Sequence, residues 1–121
     1  MSNTISSTTV RSVLIVEDEP IIAMDMEMTL EAEGFDIFGL ATNLEHGLQL
    51  LKSGTPDVAI LDYNLGSETS VPLARALLER KIPFIYITGR ELDLASDGDA
   101  PEAPIISKPV DMEAVISKYL S

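Results

Sequence analysis

The chain has 121 residues, 45% hydrophobic and 23% charged, a composition and length that suit one globular domain. Twenty Asp and Glu stand against eight Lys and Arg, a net charge of −12 with His46 neutral. That charge argues against a free-standing nucleic-acid binder and against adsorption to anionic membranes. The absence of cysteine excludes disulfides, thiolate metal sites and a Cys nucleophile, and a single histidine excludes a multi-His zinc site within one chain.

Residues 1–11 are Ser/Thr-rich and polar, lack the apolar core of a secretory signal, and read as a flexible lead-in. No run approaches the length needed to span a bilayer, so the expected compartment is the cytoplasm. Ser12 to Val16 is a short β-branched apolar run that stops at Glu17-Asp18-Glu19, the pattern of a strand buried on both faces. Pro20 suits the first turn of a helix to Glu33. Ile22, Met26 and Leu30 lie on one face of it, and the Met24/Met26/Met28 cluster reads as packing. Gly34 stands where a left-handed cap belongs.

A weaker strand, Asp36 to Ala41, comes next. Asn43 can cap a helix running to Lys52, with Leu44, Leu48 and Leu51 on one face and His46 at the surface. Asp57 to Asp62 is a second buried strand that ends in a carboxylate, followed by a loop over Asn64 to Ser70. A helix from Val71 to about Arg80 carries Leu73, Leu77 and Leu78. Pro83 to Thr88 is a third buried strand, closed by Gly89. Residues 89–104 hold five acids against Arg90 alone, with Gly98, Pro101 and Pro104, and read as a short helix at Glu91 to Ser96 within a loop. A brief strand, Ile105 to Ser107, precedes Lys108-Pro109. Asp111 caps a last helix, Met112 to Leu120. The alternation predicts an α/β fold, a parallel five-stranded sheet covered on both faces, with ligands at the carboxyl ends of the strands.

Those ends carry the chemistry. Glu17-Asp18 close the first strand, Asp62 the third, Thr88 the fourth and Lys108 the fifth. Three carboxylates brought together repel one another, and a hard divalent cation such as Mg²⁺ relieves this. With an ion bound, a carboxylate at the strand end can attack a phosphoryl group, and Thr88 and Lys108 suit its oxygens.

In Glu17-Asp18-Glu19-Pro20, Leu61-Asp62-Tyr63-Asn64-Leu65-Gly66, Thr88-Gly89 and Lys108-Pro109, the chain resembles a response-regulator receiver domain of two-component signalling over roughly residues 11–120. The resemblance implies a flavodoxin-like, doubly wound sheet of order 2-1-3-4-5 with a short or mobile fourth helix, and one receiver domain over residues 12–121. It implies Asp62 as phosphoacceptor; Glu17, Asp18, Asp62 and the Asn64 backbone carbonyl around Mg²⁺; Thr88 and Lys108 on the phosphoryl group; and a cis bond before Pro109. Pro83-Phe84-Ile85-Tyr86-Ile87-Thr88-Gly89 further resembles an atypical alphaproteobacterial subgroup with a Pro-Phe-x-aromatic-x-Thr-Gly motif, often paired with kinases of the HWE/HisKA2 type.

The usual aromatic three positions before the lysine is replaced by Ile105, so Tyr86, or ordering of residues 89–104, is the expected substitute switch. Tyr63 and Arg90 flank the site as either tuning residues or exposed side chains without a role. The implied partners are a histidine kinase or phosphotransfer protein and a downstream protein; nucleic acid and membrane are not expected. The implied function is phosphoacceptance rather than turnover catalysis, in a stand-alone regulator or in a receiver excised from a larger one. An Asp-nucleophile phosphohydrolase would need a second Asp where Asn64 stands. A flavin carrier would place its phosphate against Glu17-Asp18-Glu19.

Overall fold

The computed structural model describes residues 10–120. The strands are β1 (Ser12–Val16), β2 (Asp36–Ala41), β3 (Val58–Asp62), β4 (Asn64–Leu65), β5 (Glu68–Thr69), β6 (Phe84–Thr88) and β7 (Ile105–Ser107). The helices are α1 (Pro20–Ala32), α2 (Leu44–Ser53), α3 (Val71–Glu79), α4 (Glu91–Ala95) and α5 (Met112–Val115), the last continuing as a π-helical turn over Ile116–Leu120.

Five strands form one parallel sheet of order β2-β1-β3-β6-β7. Counting main-sheet strands alone, that is the doubly wound order 2-1-3-4-5. Successive side chains of a strand point to opposite faces, and here both sets are apolar. Leu14, Val16, Ala59, Leu61 and Tyr86 pack with Leu51, Leu73, Leu77 and Leu94 on the face covered by α2, α3 and α4. Val13, Ile15, Ile60, Ile85 and Ile87 pack with Met26, Leu30, Met112 and Leu120 on the face of α1 and α5. This two-sided burial is why the strands read as unbroken apolar runs.

The ends of elements follow local chemistry. Asn43 Oδ1 accepts from the His46 amide at 2.8 Å, and Asp111 Oδ1 accepts from Ala114 at 3.2 Å, so both helices start on a side-chain cap. Gly34 has φ +94°, the left-handed conformation that ends α1.

Several expectations need correction. The loop over residues 64–70 contains the antiparallel β4–β5 pair, turned at Gly66 with φ +72°. Leu78 lies outside the core, 55% exposed. Of the three methionines of α1 only Met26 packs; Met24 and Met28 face outward. Val10, read as lead-in, is buried in the core, and residues 1–9 of that segment lie outside the described residues.

Asp57 aligns the edge from which the site strands start. Its Oδ2 accepts from the Arg11 and Ser12 amides at 2.8 and 3.0 Å, and its own amide donates to Ser12 Oγ at 3.1 Å. Removing a half-buried carboxylate that serves two amides costs about 2 kcal/mol. Asp57→Ala is therefore expected to lower the unfolding free energy by about that much in urea titrations; an unchanged midpoint would mean the clamp is not formed in solution.

Candidate functional site

The carboxyl ends of β1, β3, β6 and β7 bring Glu17, Asp18, Asp62, Thr88 and Lys108 to one edge of the sheet. β1 and β3 are neighbours, and the chain winds outward in opposite directions from that pair, leaving a crevice above them. Glu17, Asp62 and Thr88 are buried there, and Asp18 is half-buried.

One ammonium serves the carboxylates. Lys108 Nζ donates to Asp62 Oδ2 at 3.0 Å and to Glu17 Oε2 at 3.4 Å, and lies 3.5 Å from Glu19 Oε2 at the rim. Asp62 Oδ1 accepts from the Asn64 amide at 3.3 Å, and Glu17 Oε2 accepts from the Glu19 amide at 3.1 Å. The other Glu17 oxygen, Oε1, is buried and accepts no hydrogen bond, although Lys108 Nζ is only 3.3 Å away. The Lys108–Pro109 peptide bond is cis. Thr88 Oγ1 accepts from the Arg90 amide at 2.9 Å, so the hydroxyl proton is free for another acceptor.

The charge imbalance shows in the protonation of the cluster. Burial, then the hydrogen bond to Asp62, pushes Glu17 up to about 8. Burial also raises Asp62, against the pull of its hydrogen bonds with Glu17 and Lys108. The shorter ammonium bond goes to Asp62, so the Lys108 charge favours the ionised form of Asp62 more than that of Glu17. Burial works against the Lys108 charge, but Asp62 and Glu17 together outweigh it and raise the group.

A hard cation fits this donor set. Glu17, Asp18 and Asp62 each offer a carboxylate oxygen, all within 4.8 Å of one another. Opposite ligands of a Mg²⁺ ion stand about 4 Å apart, so one ion can reach all three with small adjustments. The unpartnered Glu17 Oε1 is the atom such an ion would satisfy.

A model of the response regulator receiver domain matches residues 13–119. This chain belongs to the response-regulator receiver family. SdrG of Sphingomonas melonis Fr1 is similar, with 38% identity and a TM-score of 0.75 over 97% of this chain and 94% of that one. The phyllosphere-induced regulator PhyR of Methylorubrum extorquens is 33% identical over 89% of this chain and 43% of its own length. The structure of the regulator TrrA of Thermotoga maritima, in complex with Mg²⁺ and BeF, is 26% identical, with a TM-score of 0.72 over 90% of this chain and 96% of that one. This receiver spans about half the length of the curated relatives it matches, between 41% and 53% for the first three. Among the described residues no helix is long and apolar enough to cross a membrane.

Two tyrosines extend the receiver site toward α4. Tyr63, which follows Asp62, is buried rather than exposed, and its phenol donates to Asp97 Oδ2 at 2.6 Å. Tyr86, on the same side of β6 as Thr88, donates to the Pro101 carbonyl at 2.8 Å, and the two rings meet edge to face at 6.4 Å. Burial raises both phenols to about 12, and the Asp97 carboxylate adds to it. Sequence reasoning placed Tyr63 beside the site but missed its partner, because nothing in the spacing from 63 to 97 signals a hydrogen bond. Ile105 is 40% exposed, and Arg90 is exposed and pairs with Asp93 at 2.9 Å.

The Glu17 shift makes stability pH-dependent. In the unfolded chain Glu17 loses its proton near 4.5, whereas folded it keeps the proton until about 8. The stability this contributes is present below 4.5 and lost as pH rises toward 8. In chelator, the thermal midpoint of the wild type should fall more between those two limits than that of Glu17→Gln. Equal falls would show that Glu17 is ionised in the metal-free protein.

Proposed function

We propose that the chain is a phosphoacceptor response regulator that takes a phosphoryl group from a phosphohistidine onto Asp62. The observation that carries this reading is the buried Asp62 carboxylate, bonded to Lys108 at 3.0 Å and grouped with Glu17 and Asp18 in a cation-ready cluster. The donor is a histidine kinase or phosphotransfer protein, of the HWE/HisKA2 type if the strand-β6 motif marks partner choice. The Mg²⁺ bound in the TrrA structure supports the same ion here.

Asp62 is the nucleophile. Its oxygen forms the new P–O bond as the P–N bond to the donor imidazole breaks, and the leaving nitrogen ends protonated from solvent. A Mg²⁺ ion held by Glu17, Asp18, Asp62 and the Asn64 carbonyl would neutralise the oxygens around the transferring group. Lys108 is placed to shift from carboxylate to phosphoryl oxygen, and the free proton of Thr88 to donate to another. Asn64 stands where a hydrolase would keep an acid and cannot protonate a leaving group, which favours phosphoacceptance over turnover. The output is protein contact or service as a phosphate shuttle or sink, in the cytoplasm. The fit of the chain to SdrG over nearly its whole length supports reading these residues as one receiver domain.

The switch belongs to the same reading. α4 has five residues with only Leu94 buried, so little of its stability is its own. The segment around it is tied to the site strands by Thr88 through Arg90, by Tyr63 through Asp97 and by Tyr86 through Pro101. Tyr86 and residues 89–104 then stand in for the aromatic that Ile105 replaces.

Two measurements check this. Wild type should take label from phosphorylated histidine kinases of the source organism, and Asp62→Asn should take none while keeping its fold; label persisting in Asp62→Asn would remove Asp62 from the role. Amide exchange of residues 89–104 should change when Mg²⁺ and beryllofluoride are added together. Unchanged protection there would discard the switch.

A further inference from the structure

The short helix α4 is hitched to the site strands on both sides. Just before it, the Arg90 amide donates to Thr88 Oγ1 at 2.9 Å. Just past it, Asp97 Oδ2 accepts from the Tyr63 phenol at 2.6 Å. One hitch hangs from the hydroxyl assigned to the phosphoryl group, the other from the residue that follows Asp62.

The Tyr63 hitch is fixed. The Tyr63 amide donates to the Ile87 carbonyl and its carbonyl accepts from Ser70, both at 2.9 Å. Its ring is 5% exposed and meets Tyr86 edge to face. Asp97 is the residue around which the turn after α4 is built. Its Oδ1 accepts from the Asp99 amide at 3.0 Å, its carbonyl accepts from Ala100 at 3.2 Å, and its own amide donates to the Leu94 carbonyl at 3.1 Å. A restraint on Asp97 is thus a restraint on the whole turn.

Between the two hitches α4 has five residues, little more than one helical turn, with Leu94 alone in the core. So short an element moves as a body. Any shift of Thr88 toward a phosphoryl oxygen on Asp62 passes to Arg90 and along the helix to Asp97, where the fixed phenol resists it. A phenol donating to a carboxylate is a charge-assisted bond, among the stronger kinds. The bond is closed here while Lys108 is engaged with the Asp62 and Glu17 carboxylates, the arrangement of the unphosphorylated site.

We propose that the hydrogen bond from Tyr63 to Asp97 is an autoinhibitory latch, which holds the α4 segment in its resting position and opens in the phosphorylated state. This rests on the reading of Asp62 as phosphoacceptor. Linkage fixes the sign of its effect. A contact made only in the resting state weakens the binding of whatever favours the other state, and removing the contact strengthens that binding.

The test compares wild type, Tyr63→Phe, Asp97→Ala and the double variant. Tyr63→Phe removes the phenol oxygen and keeps the ring, and the half-buried Asp97 can turn its freed oxygen to water, so the fold is preserved. Beryllofluoride is titrated in saturating Mg²⁺ and followed through the Asn64 amide. Tyr63→Phe and Asp97→Ala should each bind it roughly tenfold more tightly than the wild type. The double variant should bind no more tightly than Asp97→Ala alone, because both substitutions remove one interaction. With neither ion nor beryllofluoride present, amides of residues 91–100 should exchange faster in Tyr63→Phe. General loosening of the fold would weaken beryllofluoride binding, so a merely structural role moves this readout the other way.

Equal or weaker beryllofluoride binding in Tyr63→Phe would overturn the latch. Additive tightening in the double variant would do the same, since the two residues would then act separately, and so would unchanged amide exchange in the ion-free Tyr63→Phe protein. Failure of beryllofluoride to bind the wild type would instead count against Asp62 as acceptor, while the ion-free exchange still decides whether the phenol holds the α4 segment.

Discussion

One ammonium group among too many carboxylates organises the site end of this protein. Lys108 spans Asp62, Glu17 and Glu19, and its shortest contact goes to Asp62. The deficit shows at Glu17, whose pKa burial raises and whose buried Oε1 accepts no hydrogen bond. Such a cluster is costly unless something positive enters it. The same deficit makes the site receptive to a divalent cation, and then to the anionic group that the cation and Lys108 can share.

The sheet makes this crowding unavoidable. Parallel strands deliver all their carboxyl ends to one edge, and burial on both faces leaves those ends as the places where polar side chains can stand. Glu17, Asp62 and Thr88 are accordingly polar and yet buried, each following a run of fully apolar positions. α4 has one buried side chain, and the residues on either side of it are held by phenol hydrogen bonds from Tyr63 to Asp97 and from Tyr86 to Pro101 and by the Arg90 amide donating to Thr88. The site residues themselves stand on strands buried in the core, while the segment beside them is weakly packed, as a region that must respond to the site would be.

Much of this was legible in the residue order. Two-sided burial writes itself as runs such as Val58 to Leu61 and Phe84 to Ile87, and a carboxylate or hydroxyl after such a run marks a strand end. Caps at Asn43 and Asp111 and the positive φ of Gly34 are local chemistry and equally readable. What escaped depends on contacts distant in sequence or on which side of a helix faces the sheet. Met24 and Met28 look like packing because they are apolar and neighbour Met26, yet 100° per residue carries them to the far side. Leu78 fails next to Leu77 for the same reason. The hydrogen bond from Tyr63 to Asp97 joins residues brought together only by β6 and α4. The β4–β5 pair is two residues on each strand, too short for any alternation to show.

Uptake of a divalent cation by the cluster is tested most directly by titrating the protein with Mg²⁺ and following backbone amide shifts. Saturable shifts should appear at Asp18, Tyr63 and Asn64, at the ends of β1 and β3, and Asp62→Asn should weaken the binding by roughly tenfold or more. Shifts that never saturate, or that spread over the acidic surface and survive Asp62→Asn unchanged, would contradict the account.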